Sequence, residues 1–156
     1  MTKPATKAIT DMTLTEDWNL PQEQVRSKLL NLQEACLEQP QVETPIREFF
    51  SEGTYGREIF IPKGTCLVGE IHATEWIIVV SRGKIKVVSE EGISIVDATE
   101  KPVTFISPAG VKRAGYALED TWWTGFRYTG DLTTEEIRKE HLVSSYDLLE
   151  DKTCGQ

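Results

Sequence analysis

Gly69-Glu70-Ile71-His72-Ala73-Thr74-Glu75-Trp76-Ile77-Ile78-Val79-Val80-Ser81-Arg82-Gly83 is the stretch that decides how this chain is read. It begins polar, becomes an apolar run rich in β-branched residues, and closes on a glycine. A second run, Lys84 to Val88, follows at once with Ile85, Val87 and Val88. Two such runs about Ser81-Arg82-Gly83 predict a β-hairpin. The first arm carries His72, one of two histidines in the chain. Side chains alternate across a strand, so Glu70, His72, Thr74 and Trp76 are expected on one face. A carboxylate, an imidazole and an indole would then line one wall.

Outward from this stretch, residues 53–130 keep the same texture. Tyr55–Ile61, Thr65–Gly69, Ile93–Asp97, Val103–Ser107, Val111–Leu118 and Thr121–Tyr128 are short apolar runs. Between them stand Pro62-Lys63-Gly64, Glu90-Glu91-Gly92, Lys101-Pro102, Pro108-Ala109-Gly110 and Glu119-Asp120, all turn signals. Seven or eight short strands at this spacing predict an antiparallel sandwich or small barrel. Adjacent Trp122 and Trp123 must face opposite sides of their strand, so one lies outside the barrel.

Residues 17–52 read as a helix and a connector. Asn19 and Pro21 suit a helix start, and Val25, Leu29, Leu32 and Cys36 form one apolar stripe that Pro40 ends. Arg47 to Glu52 fits neither period, and Phe49-Phe50 are expected to anchor it to the body. Residues 1–16 are polar and read as a flexible arm. Residues 131–156 return to helix: Thr133-Thr134-Glu135-Glu136 has the capping-box pattern, and Ile137, His141 and Leu142 are expected to face inward. Tyr146, Leu148 and Leu149 suggest one more turn, with fraying from Glu150 to Gln156.

Composition narrows the function. Apolar residues make up 39% and charged residues 27% of 156, an ordinary globular balance, with a net charge of −8. An acidic surface repels phosphate backbones, so no nucleic-acid partner is expected. Met1 to Thr10 lacks an apolar leader, and no run reaches the roughly 20 residues of a membrane span. Cys36, Cys66 and Cys154 are odd in number and widely spaced, which fits a reducing cytoplasm better than a disulfide framework or zinc ribbon. Cys66 reads as a small buried hydrophobe and His141 as structural. The phosphate-cradling loops and the serine elbow are absent.

Two stretches resemble the cupin family. Its first motif reads as two spaced histidines on a strand, an acidic residue beyond them, and a closing glycine. Anchored on Gly83, those ligand slots fall on Glu70, His72 and Trp76. Its second motif is P-x-G followed by a histidine; Pro108-Ala109-Gly110 matches, and the histidine slot falls on Arg113. Residues 42–150 more specifically resemble small cupin-like proteins of tailed bacteriophages. The residues that carry this are Val42-Glu43-Thr44-Pro45, Tyr55-Gly56-Arg57-Glu58-Ile59, Pro62-Lys63-Gly64-Thr65 and Gly115-Tyr116-Ala117-Leu118-Glu119-Asp120. The resemblance implies a mainly β fold. It would be a cupin-type double-stranded β-helix, a small jelly-roll barrel with an N-terminal helix and a C-terminal helical tail. It also implies pairing of subunits, which an outward aromatic face and an uncovered helix stripe support; a homodimer is expected.

A working cupin centre offers three imidazoles and a carboxylate to a divalent ion. Here one imidazole remains. Trp76 cannot ligate, and Arg113 is a permanent cation that repels a metal. No cofactor is therefore expected; if a metal site functions, His72, Glu70 and Glu75 are its ligands. An inward Arg113 must be compensated, either by an ion pair with Glu70 in the place of the metal or by a ligand's carboxylate or phosphate. Glu70, His72, Trp76, Arg113 and Tyr116 are the candidate ligand-binding residues, and no catalytic residue is assigned. The leading expectation is a non-catalytic binding or accessory protein, phage-encoded and cytoplasmic, that takes a small anionic ligand or a protein partner. The alternatives are a metal-dependent dioxygenase or isomerase and a virion component.

Overall fold

The computed structural model describes residues 4–10, 17–143 and 146. In chain order these form β1 (Ala5–Thr6), α1 (Gln22–Leu37), β2 (Ile46–Ser51), β3 (Thr54–Ile61), β4 (Cys66–Val68), β5 (Ile71–His72), β6 (Trp76–Ser89), β7 (Gly92–Ala98), β8 (Val103–Ser107), β9 (Ala114–Ala117), β10 (Thr121–Tyr128), α2 (Thr134–His141) and β11 (Leu142–Val143). The expected turn through Leu148 and Leu149, and Cys154, lie outside the described residues.

The protein is mainly β, built on one curled antiparallel sheet. Its strand order is β1-β4-β9-β6-β10-β3-β2, with β7 and β8 each added to β6. The curl comes from β6. Its first half pairs with β8 and β10, and its second half with β9 and β7. No ladder joins β7 to β8 among the described residues, so the barrel stays open along that seam.

The hairpin expected at Ser81-Arg82-Gly83 is instead a bend within one continuous strand. Between Val80 and Arg82 the register against β10 shifts by one residue, which makes Ser81 a bulge. The inward residues are Trp76, Ile78 and Val80 before the bulge, and Ile85 and Val87 after it. The extra residue changes the phase of alternation and keeps one sheet face inward. Gly83 sits at φ 112°, and a Cβ there would run into the Asp120 carbonyl and Thr121. The true hairpin lies one run later, where Glu90-Glu91 connects β6 to β7 and Gly92 closes it at φ 103°.

Helix α1 covers the sheet's outer side at β4, β9 and the end of β6. Its stripe of Val25, Leu29, Leu32 and Cys36 packs with Trp18 on Cys66, Val68, Val88 and Ala114. Burying each large member of that stripe is worth about 1.5–3 kcal/mol. Asn19 does not cap it. Pro21 holds the cap position with no side-chain bond, because proline's fixed φ already suits the first turn. Part of the expected arm is docked: Ala5 and Thr6 pair with Leu67 and Cys66 and are fully buried. Residues Ile46–Ser51, unassigned by periodicity, form edge strand β2. Phe49 and Phe50 do not anchor it to the body; they are 41% and 58% exposed. The capping box at Thr133 and Glu136 forms as expected. Ile137 and Leu142 close one end of the interior beside Tyr55, Trp76 and Ile78.

Candidate functional site

The site begins with β5, whose two residues are held from both sides. His72 N–H donates to the Val111 carbonyl at 3.1 Å, and Gly110 N–H donates to the His72 carbonyl at 2.6 Å. On the other side β11 pairs Leu142 with His72. The Pro108-Ala109-Gly110 turn, with Gly110 at φ 87°, thus fastens itself to His72. It delivers Ser107 from one side and Arg113 from the other to the same place. Gly69 N–H closes the arrangement by donating to the Arg113 carbonyl at 2.8 Å.

Arg113 lines the cavity inside the barrel, the placement under which the sequence requires it to be compensated. Its NH1 donates to Ser107 Oγ at 2.6 Å, and Ser107 Oγ lies 3.4 Å from His72 Nδ1. The guanidinium also lies over the Phe105 ring, 5.6 Å from its centre, within cation–π range. Burial holds the Arg113 guanidinium below its ordinary pKa, and Glu91 and Glu90 oppose that through space.

The expected Arg113–Glu70 ion pair does not form. The cation beside Glu70 is Arg57, on the neighbouring inward face of β3, with NH1 at 4.0 Å from Oε2. That Oε2 is buried and, among the described residues, accepts no hydrogen bond. Periodicity could not have found Arg57, which reaches the site through strand pairing far along the chain, nor Ser107, which the Pro108-Ala109-Gly110 turn folds back onto Arg113.

Glu70, His72 and Arg113 share one cavity of about 60 Å³, walled by apolar side chains that include Ile59, Ile61, Leu67, Ile85 and Trp123. A second chamber of about 310 Å³ lies towards the β7–β8 seam, lined by Glu91, Ser94, Val96 and Phe105. Arg113, Trp123 and Val87 belong to both walls. Arg113 therefore borders both spaces.

The remaining candidates lie elsewhere. The ladder of β5 ends at His72, so Thr74 and Trp76 do not continue its face. Thr74 Oγ1 meets His141 Nδ1 at 3.0 Å, and Arg127 Nε donates to that nitrogen at 3.2 Å. Trp76 packs in the core with its ring 5.4 Å from the His72 ring. Tyr116 packs on the opposite side of the sheet, against the cluster under α1. Glu75 is exposed, and its backbone carbonyl accepts from Arg127. The His72, Glu70 and Glu75 ligand set is thus not assembled. Among the described residues, no group of three or more His, Cys, Asp or Glu side chains could hold a metal ion. The wall does not fit a divalent ion: it sets a guanidinium where a ligand would stand.

Fold and wall together define an open, curled β-barrel with a small, mostly apolar cavity and a cation at its waist. No protein-family model matches the chain, and no curated protein matches it. Among solved structures it is similar to a cupin domain from Bordetella pertussis, at 14% identity over 59% of this chain and 99% of that one, with a TM-score of 0.46. It is also similar to an acetylacetone dioxygenase from Acinetobacter johnsonii, at 16% identity over 55% of this chain, TM-score 0.45; the match spans 59% of that enzyme. A cupin-2 domain protein from Shewanella frigidimarina is similar at 12% identity over 76% of this chain and 98% of that one, TM-score 0.42. These are likenesses of fold outline. No helix among the described residues is long and apolar enough to cross a membrane.

Proposed function

We propose that this chain is a cupin-like binding protein whose barrel takes a small anionic ligand at Arg113, without catalysing a reaction on it. One observation carries the reading. A half-buried guanidinium stands on the walls of both chambers, and among the described residues the partner it donates to is a neutral hydroxyl. Glu90 and Glu91 act on it only through space. A buried cation without a contacting anion is costly, and a ligand carboxylate or phosphate supplies the missing charge by a forked contact. The setting implied by the sequence resemblance, an accessory role in a tailed bacteriophage, belongs to the same proposal.

The test is calorimetric titration with isocaproate, a small carboxylate on an apolar skeleton, against the full chain and Arg113→Gln. The expected result is saturable binding that weakens tenfold to a hundredfold in the variant, on the order of one charge-assisted contact. Binding unchanged in Arg113→Gln overturns the proposal. Elemental mass spectrometry of untagged protein purified without chelator tests the competing metalloenzyme reading. Stoichiometric metal that disappears in His72→Ala would replace the proposal with that reading.

A further inference from the structure

The cavity wall holds a second group that the protein leaves unsatisfied. The Glu70 side chain is 29% exposed, but its Oε2 is buried and, among the described residues, accepts no hydrogen bond, with the Arg57 guanidinium at 4.0 Å. Buried carboxylate oxygens normally accept one or more hydrogen bonds, and leaving one bare is unfavourable. On the same cavity stands Arg113, whose guanidinium has five N–H donors and spends one on Ser107. The protein thus presents a bare acceptor and a fork of spare donors to one small space, with isoleucine, leucine and valine side chains making up much of its apolar wall.

We infer that the ligand is a small carboxylate bearing a hydrogen-bond donor, a hydroxyl or amine, on a short branched apolar skeleton. Its carboxylate sits on Arg113, and its donor meets Glu70. This rests on the anion-binding reading above and goes further by fixing the ligand's second polar group. The inner space, about 60 Å³, admits only a few atoms beyond the two polar groups. The skeleton therefore extends past Arg113 into the outer chamber of about 310 Å³, where Phe105 and Trp123 offer apolar surface. Entry is along the open β7–β8 seam, because that chamber lies there and no strand ladder closes it.

The experiment compares three probes on the full chain by calorimetry: 2-hydroxyisocaproate, isocaproate and 2-hydroxyisocaproamide. The hydroxy acid is expected to bind about tenfold more tightly than isocaproate, the worth of one hydrogen bond to a charged group. The amide, which lacks the charge, is expected to bind at least tenfold more weakly than the hydroxy acid. Glu70→Leu removes the acceptor and should bring the two acids within about threefold of each other while isocaproate affinity holds. Glu70→Gln, closer in shape, keeps an acceptor and should retain part of the preference; it serves if the leucine variant melts early. Equal affinity of the two acids for the wild-type chain overturns this inference and leaves the anion site standing. A preference that persists in Glu70→Leu overturns it too. Failure of both acids to bind the wild-type chain overturns the inference and the anion site together.

Discussion

Lys112 and Arg113 are consecutive and serve opposite sides of the sheet. Arg113 enters the cavity, while Lys112 is fully buried under α1, where Nζ donates to Gln33 Oε1 at 2.6 Å and to the Gly69 carbonyl at 2.8 Å. Burial pulls the Lys112 ammonium down from 10.5 to about 8, against the pull of Glu70 and Glu90. The unfolded chain therefore binds the extra proton between those two values. The penalty is full below about 8 and fades as the pH rises towards 10.5, so stability rises with pH in that window. The gain across the window from about 8 to 10.5 is about 3 kcal/mol, from 1.36 kcal/mol per unit. Urea unfolding across a pH series should show this rise in the wild type and a flatter profile in Lys112→Met. Tyr55, pushed up to about 12 chiefly by burial, withdraws stability only above its ordinary 10, and the Cys66 thiol, raised by its contact with Cys36 and by burial, only above its ordinary 9.0, so neither masks the effect below 9. A wild-type profile already flat from 8 to 9 would mean that water reaches the ammonium. At this scale the sequence named Glu70, His72 and Arg113 because motif spacing places them. It could not name Arg57, whose role arises from long-range pairing, or Ser107, which the Pro108-Ala109-Gly110 turn folds back onto Arg113, nor the side of the sheet that Tyr116 takes.

Among the elements, β6 is the one on which both halves of the curl depend, and Gly83 is its weakest point. Gly83 and Gly92 share a positive φ, 112° and 103°, yet differ in surroundings. A Cβ at Gly83 meets the Asp120 carbonyl and Thr121, while one at Gly92 meets nothing. Gly92→Ala should cost about 1–2 kcal/mol, the price of the left-handed backbone alone. Gly83→Ala adds a clash with backbone and should cost about 3 kcal/mol or more. Thermal and urea melts of the two variants decide it; equal losses would show that β6 bends without needing the close approach of β10. The same bend explains where the sequence was legible. Val103–Ser107 and Thr121–Tyr128 matched their strands, and the α1 stripe matched its helix, because an unbroken period of two or 3.6 reports one buried face. At Ser81 the period slips by one residue, and a slipped phase beside a glycine looks like a turn. Edge strand β2 was illegible for the opposite reason: it buries neither face, so it has no period to read.

Across the whole molecule, the outer face of the sheet carries an apolar row that the described residues leave uncovered. Strand registers align Ile106 with Ile77, Ile77 with Phe126, Phe126 with Gly56, and Gly56 with Phe49. Ile106 and Ile77 are 62% and 51% exposed. The next row places Arg47 against Glu58, 3.3 Å apart, with Arg47 largely in solvent. A second copy related by a two-fold axis would lay apolar row on apolar row and could exchange the two charges, Arg47 of each copy facing Glu58 of the other. We propose that this face makes the homodimer, since the patch is complementary to itself and an isologous contact closes the assembly. With a net charge of −8 on each copy, the dimer should tighten as salt screens repulsion. Sedimentation velocity of the full chain should give a dimer, and Ile77→Lys with Ile106→Lys a monomer with an unchanged melting profile at low concentration. Ile77 lines neither chamber, so isocaproate titration should be unaffected by Ile77→Lys alone, whereas Ile106 stands on the wall of the larger one. A wild-type chain that sediments as a monomer over the concentration series, at low and high salt alike, would leave the row as ordinary exposed surface and remove the dimer from the account.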